Sequence, residues 1–175
     1  MSIQNSIEKA LEMGAHQGKL IGADQIVTAH WVRLKCQYGC AAYGMNLACP
    51  PFSPDVQYTR QLLKEYQKGL LLTFLAEGGE EYTVRKQMKK AVAHIERMLF
   101  LEGYYSAFGM SSGQCNLCRR CDVTQPCRFP QVARPSMEAC GIDVFGTLCA
   151  AGIPLDIVSS KKQSCTLCGL ILFDA

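Results

Sequence analysis

Residues 70–103 read LLLTFLAEGGEEYTVRKQMKKAVAHIERMLFLEG, and this stretch decides the fold class. Leu70 to Ala76 is an apolar run followed by the turn signal Gly78-Gly79, which suits a buried strand and is far too short to cross a bilayer. From Glu81 to Glu102 the pattern changes. Val84, Met88, Val92, Ile95 and Leu99 recur at helical spacing, and Gly103 supplies the stop. A buried strand followed by a long one-sided helix needs both a sheet and a helical layer. The chain is therefore read as α/β or α+β.

Working outward, Tyr104 to Met110 is expected as a further strand. Asp143 is expected to cap a helix that ends at Gly152, with Leu155 to Val158 and Leu167 to Phe173 as closing strands. Toward the N-terminus, Ser53-Pro54-Asp55 offers a cap, a first-turn proline and an early acid for a helix ending at Gly69. Ile26, Val27, Trp31 and Val32 make Gln25 to Leu34 read as extended. Ser2 to Met13 reads as a helix with Ile3, Ile7, Ala10 and Leu11 on one face, stopped by Gly14. No internal repeat or linker-like segment divides the chain, so residues 1–175 are expected as a single compact domain with a cysteine-rich, cluster-binding loop region.

Apolar residues make up 49% of the 175 and charged residues 19%, an ordinary globular composition. The net charge is +3 and the basic residues are scattered. Lys89-Lys90 and Lys161-Lys162 are the densest basic spots and read as solvated faces, so neither nucleic acid nor a membrane is an expected partner. Glu8 and Glu12 interrupt the first residues, and no apolar segment of signal-peptide type follows. A cytoplasmic location, where thiols stay reduced, is the expectation. No glycine-rich phosphate loop is present.

In that setting the 11 cysteines point to metal or redox chemistry rather than to disulfides. Cys115-x2-Cys118-x2-Cys121-x5-Cys127 is the stronger group. Two-residue gaps let successive thiolates curl around one centre while backbone amides point at its sulfurs. The first three positions resemble the ligand run of bacterial ferredoxins, which continues with a three-residue gap and Cys-Pro. Here the gap is x5, with Arg128 where the proline would stand and Pro130 two residues later. Zinc competes, because four thiolates suit it and Cys-x2-Cys is a zinc spacing. Zinc sites usually pair two such knuckles across a longer loop, however, and a third cysteine so soon favours iron–sulfur.

The second group is Cys36-x3-Cys40-x8-Cys49-Pro50-Pro51, three cysteines of a possible four. Either a distant cysteine completes the set, Cys140 being the first choice, or one iron stays open to a small ligand. Cys165-x2-Cys168 offers a redox dithiol, an additional ligand pair or two positions of the closing strand, and the strand reading is preferred because positions three apart face opposite sides. Cys149 reads as core. His16, His30 and His94 form no two-histidine metal pattern. Arg134 could neutralise a negatively charged cluster, with Glu138 as its ion-pair partner.

Both groups, with the residues around them, resemble the signatures of a prokaryotic family described as predicted metal-binding protein, domain of unknown function 2284. The first is Cys36-Gln37-Tyr38-Gly39-Cys40, Tyr43-Gly44 and Cys49-Pro50-Pro51 with Pro54. The second runs through Cys115, Cys118, Cys121 and Cys127-Arg128-x-Pro130, then Arg134-Pro135-Ser136-Met137-Glu138-Ala139 and Gly141-Ile142-Asp143-Val144. The resemblance spans almost the whole chain in the same order. It implies metal binding through these cysteines, in anaerobes, and names no substrate. Cys165 and Cys168 depart from the family pattern.

The expectation is one or two [4Fe-4S] clusters and electron transfer to a protein redox partner. Cys115, Cys118, Cys121 and Cys127 would form the main set, and Cys36, Cys40 and Cys49, with Cys140, the second. A redox enzyme with an open-site cluster and a zinc-stabilised interaction module are the alternatives.

Overall fold

The structure is a computed structural model that describes residues 3–160 and 162–174. In chain order its elements are α1 (Ile3–Glu12), β1 (Gln17–Gly22), α2 (His30–Gly39), α3 (Val56–Leu63), β2 (Lys68–Ala76), α4 (Glu81–Leu101), β3 (Phe108–Met110), α5 (Val144–Ala150) and β4 (Cys165–Phe173). Short 3-10 turns cover Ala23–Gln25 and Glu138–Cys140. The strands form one antiparallel sheet in the order β1-β2-β4-β3. The fold is thus mixed α/β, as the strand-then-helix pattern implied.

Both faces of the sheet are covered, which is why its central strands read as nearly unbroken apolar runs. On one face Leu70, Leu72 and Phe74 of β2 and Leu167, Ile171 and Phe173 of β4 pack with Met88, Ala91, Val92, Ile95 and Leu99 of α4 and with Ala10 of α1. On the other face Leu71, Cys168, Leu170 and Leu172 pack with Met137, Cys140, Ile142 and Leu148. The two-residue alternation of β4 divides its side chains between these cores, and Cys165 and Cys168 fall on opposite sides as expected.

Helix α4 lies close on β3 at Gly109. A Cβ there would stand 2.7 Å from Cγ1 of Val92 and 2.7 Å from Oε2 of Glu96, so only glycine fits without displacing the helix. The Gly109 N–H instead donates to Glu96 Oε2 at 2.9 Å. The helix ends where Gly103 takes φ 101° and Tyr104 N–H reaches back to the Leu99 carbonyl at 3.0 Å.

Several expected elements differ. Of the segment read as extended over Gln25 to Leu34, Gln25 belongs to the 3-10 turn, Ile26 and Ala29 are extended, and α2 begins at His30. Only Val32 of α2 is buried, so the helix carries no apolar stripe that periodicity could reveal. Strand β1 takes its place in the sheet from Gln17–Gly22, a segment without β-former enrichment. Asp55, not Ser53, caps α3, accepting from Tyr58 N–H at 2.7 Å, and that helix stops at Leu63, before Gly69. The expected strand at Tyr104 to Met110 shrinks to Phe108–Met110. Leu155 to Val158 is irregular, because its β-formers find no strand to pair with, and Ile157 is 81% exposed. Ser2 and Lys161, which belong to the expected first helix and second basic spot, lie outside the described residues. Among the described residues no helix is long and apolar enough to cross a membrane.

Candidate metal centre

The first cysteine group is built at the end of a helix. Cys36 lies in α2 and Cys40 is its C-cap, four residues on and therefore on the same face. The chain then turns through Ala42 and Gly44, whose N–H donates to the Pro50 carbonyl at 2.8 Å. Cys49 closes this turn, its N–H donating to the Asn46 carbonyl at 3.0 Å. Cys40 is exposed, Cys36 half-buried and Cys49 buried.

One side chain fixes this arrangement. Arg33, one turn before Cys36, donates through Nη1 to Ser53 Oγ at 3.1 Å, the Pro54 carbonyl at 3.0 Å and the Ala139 carbonyl at 2.5 Å. Ser53 Oγ donates to the same Ala139 carbonyl at 2.7 Å. Helix α2, the entry to α3 and the 138–140 turn are therefore pinned to one guanidinium. This use of Ser53 explains why Asp55 takes the cap instead. Arg33 is legible in sequence only if the segment is read as a helix, three residues before a cysteine.

The second group lies on an irregular loop whose ends are tied together. Ser111 N–H donates to the Pro135 carbonyl, and Met137 N–H to the Ser111 carbonyl, both at 2.9 Å. Between these ties, the Asp122 carboxylate accepts from Thr124 N–H at 3.0 Å and from its hydroxyl at 2.7 Å, shaping the turn after Cys121. The hydrogen bonds from Thr124 hold the Asp122 carboxyl below its ordinary range. Phe129 N–H donates to Cys127 Sγ at 3.4 Å.

The two groups meet. Cys115, Cys118, Cys121 and Cys127 line a cavity of about 280 Å³, and Asn46, Leu47 and Ala48, the residues just before Cys49, form part of its wall. The backbone amide of Cys115 faces the Cys49 sulfur, and Cys36, Cys40 and Cys115 all lie close enough to Cys49 to raise its pKa by charge, although burial raises it more. Burial likewise pushes the Cys36 thiol up, with Cys40 and Glu138 adding to it and Arg33 opposing. Among the described residues no three His, Cys, Asp or Glu side chains converge tightly enough to hold a single ion as they stand.

Lys89 lies beside this junction. Its Nζ donates to the Gln114 carbonyl and to Asn116 Oδ1 at 3.4 Å. Burial lowers its pKa, opposed by Cys115 and Cys49. It is not the solvated lysine expected from the Lys89-Lys90 pair. The bordering position of Lys90 is exposed, and so is Lys162.

Arg134 also departs from expectation. Its partner is Glu96 of α4, not Glu138: Nε donates to Oε2 at 2.7 Å and Nη2 to Oε1 at 2.5 Å. Glu138 is instead turned inward, and burial pushes its carboxyl up. Nothing in the sequence marks Glu96 out, since it lies on the helix beside the apolar stripe.

Cys140 lies in the apolar core at 1% exposure, with burial raising its thiol to about 12. Its carbonyl accepts from Thr59 Oγ1 at 2.7 Å. Cys168 is buried, with its thiol also raised to about 12, chiefly by burial. Cys149, expected in the core, is exposed, because the buried positions of α5 are Thr147 and Leu148 and the next residue turns outward. His30 faces Arg60, with Nε2 and Nη1 3.3 Å apart, and His94 is exposed on α4.

The fold and its converging thiols define a cysteine-rich α/β protein. The family model for predicted metal-binding protein, DUF2284, matches residues 19–173, and the chain belongs to that family. No curated protein matches the chain. No solved structure matches it either.

Proposed function

We propose that this chain is an iron–sulfur protein that holds one or two [4Fe-4S] groups and exchanges electrons with a protein partner. The observation that carries the reading is the meeting of the Cys36/Cys40/Cys49 turn with the Cys115–Cys127 loop. Four thiols line one cavity, and the Cys49 sulfur, with Cys36 and Cys40 near it, faces Cys115 of that set.

The donor set fits such a group. It is all sulfur, the preference of iron–sulfur centres. Backbone amides of Phe129 and Cys115 face the sulfurs of Cys127 and Cys49, the kind of contact that tunes reduction potential. Arg33 and Lys89 set positive charge beside thiolates that must be deprotonated to ligate. A bound cluster would supply one-electron chemistry. The chain's own residues would orient it and limit its exposure to water.

The allocation of donors follows from position. Cys115, Cys118, Cys121 and Cys127 share one cavity and form the main set. For the Cys36, Cys40 and Cys49 set, Cys140 is disfavoured as a fourth donor by its place among Met137, Ile142 and Leu148. Cys115 faces both groups. Seven thiols complete one set of four and leave the other with three.

That count favours a second reading, a redox enzyme whose three-cysteine cluster keeps one coordination position for a small ligand. The two readings separate by spectroscopy. Anaerobically purified protein, reduced with dithionite, should show absorbance at about 400 nm that bleaches and an EPR signal of reduced cluster. Cys118→Ser should lower the cluster content. A colourless protein with zinc bound would instead support the interaction module and defeat both. A signal that shifts when a small ligand such as cyanide is added marks an open iron and the enzyme reading.

A further inference from the structure

A cavity of about 940 Å³ lies in a cleft beside the cysteine cavity. One wall is the flank of α4 that runs from Lys86 to Phe100, and the other is the two ends of the loop that carries Cys115 to Cys127. Its size is that of a small-molecule site. Cys115 lines both cavities.

Its charge is one-sided. Lys86, Lys89, Lys90 and Arg97 all border it. Glu96 is the only carboxylate among the described lining residues, and it is already committed to the Arg134 guanidinium and the Gly109 N–H. Lys89 turns toward the loop carbonyl of Gln114 and toward the cysteines. Lys86, Lys90 and Arg97 are left exposed along the rim, with no ion pair among the described residues.

The remaining surface is apolar. Phe100, Leu117 and Val132, from three separate segments, are 52%, 40% and 45% exposed and all line this cleft. Val92 and Ala93 add to its floor. Apolar side chains gathered in a concave site lose less to water when a ligand covers them. Cations on the rim and apolar walls behind them match an anionic head on an apolar body.

We infer that this cleft binds a small organic anion, a carboxylate or phosphate ester carried on an apolar or aromatic body, next to Cys115. The site goes beyond the metal reading and does not depend on which metal the cysteines hold. Its position would place the ligand beside the centre.

The test is calorimetric titration of the full chain, purified anaerobically with its metal, using 2-naphthoate as probe. Naphthylmethylamine and inorganic phosphate serve as controls for charge and for the apolar body. The expected result is saturable binding of one naphthoate per chain, with both controls at least tenfold weaker. The double variant Lys86→Gln/Arg97→Gln should weaken naphthoate by roughly tenfold or more. Ala93→Trp, which fills the floor, should abolish binding while circular dichroism and metal content stay as in the parent. Absence of saturable naphthoate binding, equal binding of the amine, or unchanged affinity in both variants would overturn the inference. So would capture of polyglutamate without naphthoate, which would assign the basic rim to an acidic protein.

Discussion

Arg134 grips Glu96 with two hydrogen bonds, of 2.7 and 2.5 Å, and so ties the end of the cysteine loop to the middle of α4. The same guanidinium lies 5.6 Å from the centre of the Phe108 ring and donates to the Pro130 and Ala133 carbonyls. The two side chains are only 17% and 11% exposed, so the pair is poorly screened by solvent. Both residues also line the basic cleft between α4 and the cysteine loop.

Removing one partner should therefore hurt more than losing a surface ion pair. Glu96→Gln leaves the guanidinium half-buried without a counter-charge, and a loss of about 3 kcal/mol in urea unfolding is expected. Arg134→Met in the Glu96→Gln background should cost much less than the sum of the two single changes. Additive losses would mean that the pair does not act as a unit.

Gly141 is a second point of close fit. It follows the 138–140 turn with φ 76°, and a Cβ there would run into the Val56 side chain at the start of α3. Gly141→Ala should cost about 2 kcal/mol from backbone strain alone, and more if Val56 cannot shift. Gly39→Ala, at the end of α2 with open space around it, should be neutral or mildly stabilising. Thermal unfolding of the two variants checks the contrast. Equal shifts would place the constraint elsewhere.

The Cys168 thiol is raised to about 12 by burial. Its folded pKa exceeds the unfolded one, so its contribution is fully present below the ordinary thiol value and is lost as pH rises toward 12. Between pH 9 and 12 it should remove about 1.4 kcal/mol of stability per pH unit. Cys168→Val, similar in size and unable to ionise, should show a flatter decline than the parent over that window. Parallel curves would show that the thiol ionises as freely in the fold as in the unfolded chain.

Alkylation by iodoacetamide should separate the cysteines by role. In metal-loaded protein Cys149, exposed on α5 and outside both proposed ligand sets, should react first. Cys40 is also exposed, and its resistance would come from ligation alone. Chelation of the metal should open Cys40, then the half-buried Cys36, Cys115, Cys118, Cys121 and Cys127, while buried Cys140 and Cys168 stay unmodified until unfolding. Peptide mapping by mass spectrometry gives the order. Cys40 reacting as fast as Cys149 in the loaded protein would remove it from the ligand set.

What the sequence reveals depends on whether burial is local or shared. Leu70–Ala76 and the stripe from Val84 to Leu99 are legible because each element buries its own periodic face against the sheet core. Helix α2 is not, because it is held by the hydrogen bonds of Arg33 rather than by an apolar stripe. Reading its first half, as far as Leu34, as extended hid the helix that positions Cys36 and, at its C-cap, Cys40. The spacing of Cys115 to Cys127 is visible in the chain, because those residues are neighbours in sequence. The approach of Cys115 to Cys49 crosses 66 positions and arises only when the 111–137 stem and the Arg33 contacts close. The Glu96 partner of Arg134 is hidden for the same reason.

The central claim, that these thiols hold iron–sulfur, is tested most directly by quantifying iron, acid-labile sulfide and zinc in anaerobically purified protein. The expected result is iron and sulfide in equal amounts, about four or eight of each per chain, with little zinc. That content should fall in Cys115→Ser, the variant placed at the junction of both groups. Zinc at about one per chain without sulfide, or iron and sulfide unchanged in Cys115→Ser, would contradict the account.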